Sequence, residues 1–464
     1  MKKVLRKVII LLSLSVVMSM PMMACYYDSE QNFGMDIPTT IVNQADVADI
    51  FMNNLATGDS LTATLMLSPE MQQLFPVDLF VFGIHGEIVS FSTLERAEAD
   101  GFHITTISAT HTKGEAVHQI VVDKTGAIAG FNTLSFAFEP RLPSETDTFT
   151  SEAVTIGEDW QLDGLLTLPH GASADNPVPA VILVHGSGSH NMDQSIFENR
   201  AFADIAEYLG NNGIAVLRYN QRSFSHGERF APIFTETPTI EFEAVEDALL
   251  AAELLQGDPR ISKIFVLGHS LGGLIAPRIA EYAQLDGAIM MAALTRPHYL
   301  NSFDQNIVTI NTMLEAGIIT QEEVPAIMEM IYSLLEEAHT SHHWTDEELV
   351  GREIFGFPAT YSRSLTRSLP IPFILASNRP ILALQGDRDP QTTVEGDFQF
   401  LLDYTQGLPH VTTHLYEGLN HMMMTSLFPT GPLVMNPIAE FSVPNRVDTR
   451  VTRDIVEWIN DIIN

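Results

Sequence analysis

The chain has 464 residues, 45% of them apolar, with ordinary glycine and proline content, so it can build two domains and a large core and does not read as disordered. A formal net charge of −34 argues against nucleic acid or anionic lipid as a partner, since both would be repelled, and reads otherwise as a well-solvated acidic surface. Cys25 is the only cysteine, which excludes an internal disulfide.

The N-terminal stretch differs from the rest. Lys2, Lys3, Arg6 and Lys7 precede an uncharged apolar run, Val8 to Met23, that ends at Ala24-Cys25. A basic segment, a short apolar segment and a small residue before the cut predict an export signal over 1–24. "MMAC" (Met22 to Cys25) resembles a bacterial lipobox with Met22 where Leu is usual, which implies lipidation of Cys25 and a membrane-tethered protein. A plain signal cut elsewhere and an uncleaved anchor helix are the alternatives. Residues 25–44 are polar and turn-rich, as a tether would be.

A small α+β domain is expected over 45–140. Val47, Ile50, Phe51 and Leu55 share a helical face within a helical pattern running from Ala45 to Leu74 that "TGDS" interrupts. Alternating segments follow at Leu79–Ile84, Phe102–His111, Glu115–Val122 and Ile128–Phe138, and read as antiparallel strands. The proline-bearing stretch 139–143 marks a boundary.

From about 150 to 464 the rhythm changes to strands alternating with helices. Strands are predicted at Ala153–Ile156, Trp160–Leu168, Pro179–His185, Ile214–Tyr219, Ile264–Leu267, Gly287–Met291, Pro380–Gln385 and Val411–Tyr416, with helices between them and a last helix at Thr449–Ile463. Strands apolar along their whole length imply a mostly parallel sheet covered on both faces, the α/β class. Between about 297 and 370 the alternation stops. There Thr320-x-x-Glu323 and Thr345-x-x-Glu348 look like capping boxes, and a helical insertion able to form a lid is expected.

The chemistry centres on "KIFVLGHSLGGL" (Lys263 to Leu274). An apolar strand runs into Gly268-x-Ser270-x-Gly272, and an amphipathic helix follows. Small residues on both sides of Ser270 permit the strained strand-to-helix bend that exposes a nucleophile. Together with its context this motif resembles the α/β-hydrolase family, and the resemblance implies the remaining parts. The family orders its triad serine, acid, histidine. "ILALQGDRDP" (Ile381 to Pro390) matches the acid turn and implies Asp389, with Asp387 as competitor for a turn role. "LYEGLNHMMM" (Leu415 to Met424) implies His421, with His410 and His414 as surface or sheet residues. The oxyanion donors implied are the backbone N–H groups of Leu271 and of Ser187 in "VHGSG", whose Gly186 and Gly188 let the main chain approach a substrate.

These motifs, with "LDGLLTLP" and "GIAVLRYNQR", also look like a group of secreted bacterial serine esterases in which a cone-shaped domain of the nuclear-transport-factor-like kind precedes the hydrolase. The loop after "HGSG", "SHNMDQ" (Ser189 to Gln194), departs from that group's acidic, proline-containing version. The resemblance implies a small-molecule ester substrate. A serine peptidase or amidase, and a non-catalytic envelope binding protein, remain as alternatives. No nucleotide motif appears, "HTSHHW" (His339 to Trp344) reads as a polar loop rather than a metal site, and no cofactor is expected. Oligomeric state is not legible.

Overall fold

A computed structural model describes residues 44–68, 71–72, 87–99, 101–112, 114–137, 147–236, 238–315, 317, 319–441 and 443–463. The export segment, Cys25 and the expected strand Leu79–Ile84 lie outside the described residues. These residues form two compact units, one within 21–140 that takes in 196–198, the other within 141–195 and 199–464.

In the first unit, helices α1 (Gln44–Ala56) and α2 (Ser60–Leu65) precede strands β1 (Ile88–Ala99), β2 (Phe102–His111), β3 (Gly114–Val122) and β4 (Ile128–Ala137), an antiparallel sheet in chain order. Val47, Phe51 and Leu55 recur at helical spacing on α1 and are buried in one cluster with Ile107, Ile120 and Phe131. Asp59 caps α2 by accepting the Thr62 N–H at 3.1 Å. The sequence reading did not foresee β1. Its run of Glu95, Arg96 and Glu98 carries no apolar alternation, because β1 is an edge strand and nearly all of it is exposed.

The second unit is built on eight strands: β5 (Phe149–Ile156), β6 (Leu162–Pro169), β7 (Val178–Val184), β8 (Ala215–Tyr219), β9 (Ile261–His269), β10 (Gly287–Met291), β11 (Ile381–Gly386) and β12 (Val411–Tyr416). Their order across the sheet is β12-β11-β10-β9-β7-β8-β6-β5, with only β6 antiparallel to its neighbours. Every residue of β8, β10 and β11 is buried, as a sheet covered on both faces requires. The covering helices are α3 (Ala201–Asn211), α4 (Gly227–Glu236), α5 (Glu246–Gln256), α6 (Leu271–Tyr282), and further on α11 (Gln399–Thr405) and α12 (Thr449–Ile463). On α12, Val451, Ile455 and Ile459 form a buried stripe four residues apart, each contributing about 1.5–3 kcal/mol by leaving water.

The inserted segment runs between β10 and β11 as α7 (His298–Glu315), α8 (Val324–Thr340), α9 (Ala359–Arg367) and α10 (Pro370–Ala376). It has an apolar cluster of its own, including Ile310, Met313, Ile327, Ile331 and Phe355. Thr345 and Glu348 form a reciprocal capping box. The other expected box is only half made: Glu323 accepts the Thr320 N–H at 2.9 Å, but α8 begins at Val324 with Glu323 as its cap, a turn later than the motif suggested.

The strand order places the site. The chain passes from β7 to β8 on one side and returns across β7 to β9, so the order reverses between β7 and β9, which pair in parallel with Gly268 opposite Val184. The loops leaving these two carboxyl ends therefore diverge around one crevice.

Candidate active site

Ser270 sits where β9 turns into α6, with φ +56° and ψ −115°. A non-glycine residue there is strained by about 1–3 kcal/mol, and the surroundings must hold it. They do so through absent side chains. A Cβ on Gly268 would lie 2.0 Å from the Gly272 carbonyl oxygen, and one on Gly272 would lie 2.3 Å from that of Val184. Donation from Ser270 N–H to the Met291 carbonyl at 2.9 Å ties the bend to β10. Leu271 is the first residue of α6, so its N–H has no acceptor within the helix.

The loop after β7 passes close by. A Cβ on Gly186 would stand 3.1 Å from Ser270 Cβ, so no side chain fits there without crowding the serine. Gly188 has φ +113°, open only to glycine at low cost. Gln221 Nε2 donates to the Gly186 carbonyl at 3.2 Å, while its Oε1 accepts the His190 N–H at 2.7 Å. In a planar trans peptide the Gly186 C=O and Ser187 N–H point opposite ways, so Gln221 fixes the direction of the Ser187 N–H. His190 Nε2 in turn donates to the Ser187 carbonyl at 2.8 Å.

Across the crevice, Asp389 and His421 meet: His421 Nδ1 donates to Asp389 Oδ2 at 2.8 Å, with both side chains buried. Asp389 Oδ2 also accepts from Thr392 Oγ1 (2.6 Å) and Gln385 Nε2 (3.1 Å), and Oδ1 from the N–H groups of Gln391 (2.8 Å) and Thr392 (3.0 Å). Burial pushes this carboxyl up, but His421 and the Thr392 donors outweigh it and hold it below the ordinary carboxylate range. With Nδ1–H committed to Asp389, Nε2 is the nitrogen of His421 left to take up a proton. Ser270 Oγ has no hydrogen-bond partner among the described residues. The ring of its neighbour His269 lies 4.7 Å from that of His421, centroid to centroid. A strained serine, an imidazole on a buried carboxylate and free main-chain N–H groups are the parts acyl transfer uses.

Asp387 is elsewhere in its turn: its Oδ1 accepts the Gly418 N–H at 2.7 Å. His414 faces Asp454 at 3.5 Å and His410 Nε2 donates to the Ile374 carbonyl at 3.2 Å, so neither joins the Asp389 cluster. The three methionines after His421 are fully buried. Among the described residues no group of three or more His, Cys, Asp or Glu is arranged to hold a metal, and no helix is long and apolar enough to cross a membrane. Sequence reasoning missed Gln194, Gln221, His269, Gln385 and Thr392. Only His269 carried a local signal, as the residue between glycine and serine in the motif.

Fold and site together define a class. The model of the alpha/beta hydrolase family matches residues 181–429, and the chain belongs to that family. Esterase EstD of Thermotoga maritima is 31% identical over 376 residues, spanning 80% of this chain and 82% of that protein. Among solved structures, an esterase of Pyrococcus furiosus (15% identity, TM-score 0.41, 70% of this chain and 97% of that one) and Est1E from Butyrivibrio proteoclasticus (16%, TM-score 0.40, 67% and 98%) are similar.

Proposed function

We propose that the protein is an exported serine hydrolase that cleaves carboxylic esters through an acyl-enzyme. What carries the reading is the bond from His421 to buried Asp389 beside a serine held in a strained elbow. His421 Nε2 takes the proton from Ser270 Oγ as the oxygen attacks the ester carbonyl carbon. The Leu271 and Ser187 N–H groups receive the negative oxygen, each worth about 3 kcal/mol in comparable sites. The C–O bond breaks, and His421 returns the proton to the leaving alcohol. Water then attacks the acyl carbon as His421 takes its proton, the bond from Ser270 Oγ to that carbon breaks to release the acid, and His421 hands the proton back to Oγ. Asp389 orients His421 throughout and stabilises its charged form.

Ester rather than amide as the substrate draws support from the esterase relative. Export and anchoring at Cys25 rest on the basic-apolar leader and the lipobox-like "MMAC". The deciding experiment is hydrolysis of nitrophenyl esters of increasing acyl length, beside the matching anilides, by the protein and its Ser270→Ala variant. Loss of ester hydrolysis and of fluorophosphonate labelling in the variant is expected; retained turnover refutes the reading. Radiolabelled fatty-acid incorporation that disappears in Cys25→Ala tests the anchor.

A further inference from the structure

We infer that His269 and Gln194 are positioning residues that set the place of the base relative to the nucleophile: Gln194 fixes the tautomer of His269, and His269 grips the main chain of His421. The inference rests on the reading of Ser270 and His421 given above.

His269 ends β9 and is buried. Its Nε2 lies 2.8 Å from the His421 carbonyl oxygen, and its Nδ1 meets the side-chain amide of Gln194. Burial first, and then the neighbouring His421, push the His269 imidazole down to about 3, so the ring is neutral near pH 7 and carries a single N–H. A carbonyl oxygen can only accept, so that hydrogen resides on Nε2 and points at His421. Nδ1 is then an acceptor, and Gln194 must offer its N–H rather than its oxygen.

Gln194 itself is costly to place. Its φ is +48°, its side chain is 1% exposed, and its Oε1 is buried without a hydrogen-bond partner. The strained backbone and the unpaired oxygen both cost stability. An apolar side chain of similar length would avoid the second cost, so what this amide contributes comes through its donor. Because His269 adjoins Ser270, one peptide bond separates the nucleophile from the grip on the base's own carbonyl. One hydrogen bond between residues 152 apart in the chain thereby ties the segment carrying the nucleophile to the segment carrying the base.

The test uses His269→Leu, which removes the donor, and His269→Gln, whose amide nitrogen can occupy the place of Nε2. Displacing a reacting group by about 1 Å costs up to about 100-fold, so His269→Leu should lower kcat about 10–100-fold with KM within about twofold. His269→Gln should recover to within about fivefold of the parent by restoring the charge-free donor. Unchanged kcat in His269→Leu, or equal losses in both variants, overturns the inference. Should His269→Leu not fold, Gln194→Met decides: a kcat loss with KM unchanged supports the relay, and parental kcat refutes it. Ser270→Ala run in parallel separates the two failures. If Ser270→Ala stays active, the site reading falls; if it is dead while His269→Leu is parental, only the positioning role falls.

Discussion

Glu243 offers the sharpest physical test of the fold around the inserted helices. It sits in a widened helical turn (Glu241–Val245) leading into α5, and its buried carboxylate accepts a hydrogen bond from the hydroxyl of Tyr361 on α9. Burial pushes the carboxyl up from 4.5 to about 7, and the Tyr361 bond offsets only part of that. A carboxyl raised on folding contributes stability that is complete below its unfolded value and is lost as pH climbs through its folded value. At about 1.36 kcal/mol per pH unit, the span from 4.5 to about 7 corresponds to about 3 kcal/mol lost between acid and neutral pH. Asp247, pushed up to about 6 by burial against the pull of Arg222, acts in the same direction. Glu243→Gln keeps an oxygen for Tyr361 and removes the titration. Relative to the parent, the variant should therefore gain about 2.5 kcal/mol at about pH 8 compared with about pH 5, part of the loss having already occurred by about pH 5. Urea unfolding followed by tryptophan fluorescence reads it, because Trp160, Trp344 and Trp458 all belong to the hydrolase unit. A parent–variant difference that is the same at both pH values would refute the burial argument.

Asp389→Asn leaves the imidazole free to take the wrong tautomer and should lower kcat by about 100- to 10,000-fold in ester hydrolysis. Asp387→Asn keeps an oxygen for the Gly418 N–H and should stay within about threefold, so the pair of variants discriminates between two carboxylates two residues apart. Gly272→Ala places a Cβ 2.3 Å from the Val184 carbonyl oxygen, a clash with backbone rather than with a movable side chain. It should destabilise by more than about 2 kcal/mol and slow fluorophosphonate labelling, and a variant with parental melting and labelling would show that the elbow relaxes.

Much of the parallel sheet was legible because its strands announce themselves one by one. β7 and β10 lie, to within a residue, where near-continuous apolar runs between turn residues put them, and α12 where its four-residue stripe does. Burial on both faces leaves no polar positions to blur such runs. β1 hid for the opposite reason: an exposed edge strand needs no apolar alternation, so Glu95, Arg96 and Glu98 read as loop. The elbow was readable because its requirement is local, since the glycines that permit the bend lie within three residues of Ser270.

The loop Ser189–Gln194 resisted for a reason of distance. It departs from the pattern of the proteins it resembles, and its residue types carry no chemistry by themselves. Folded, it links the parts of the site: His190 to the Ser187 carbonyl, Asp193 to Arg218 at 2.9 Å, Gln194 to His269. Those partners lie 3, 25 and 75 residues away, so only the first falls within a motif's span. A donor to Nδ1 of His269 is a geometric requirement, and other loop sequences can meet it from other positions. Pattern matching at residues 189–194 therefore reports little about whether the requirement is met, whereas the hydrogen bonds made there report it directly.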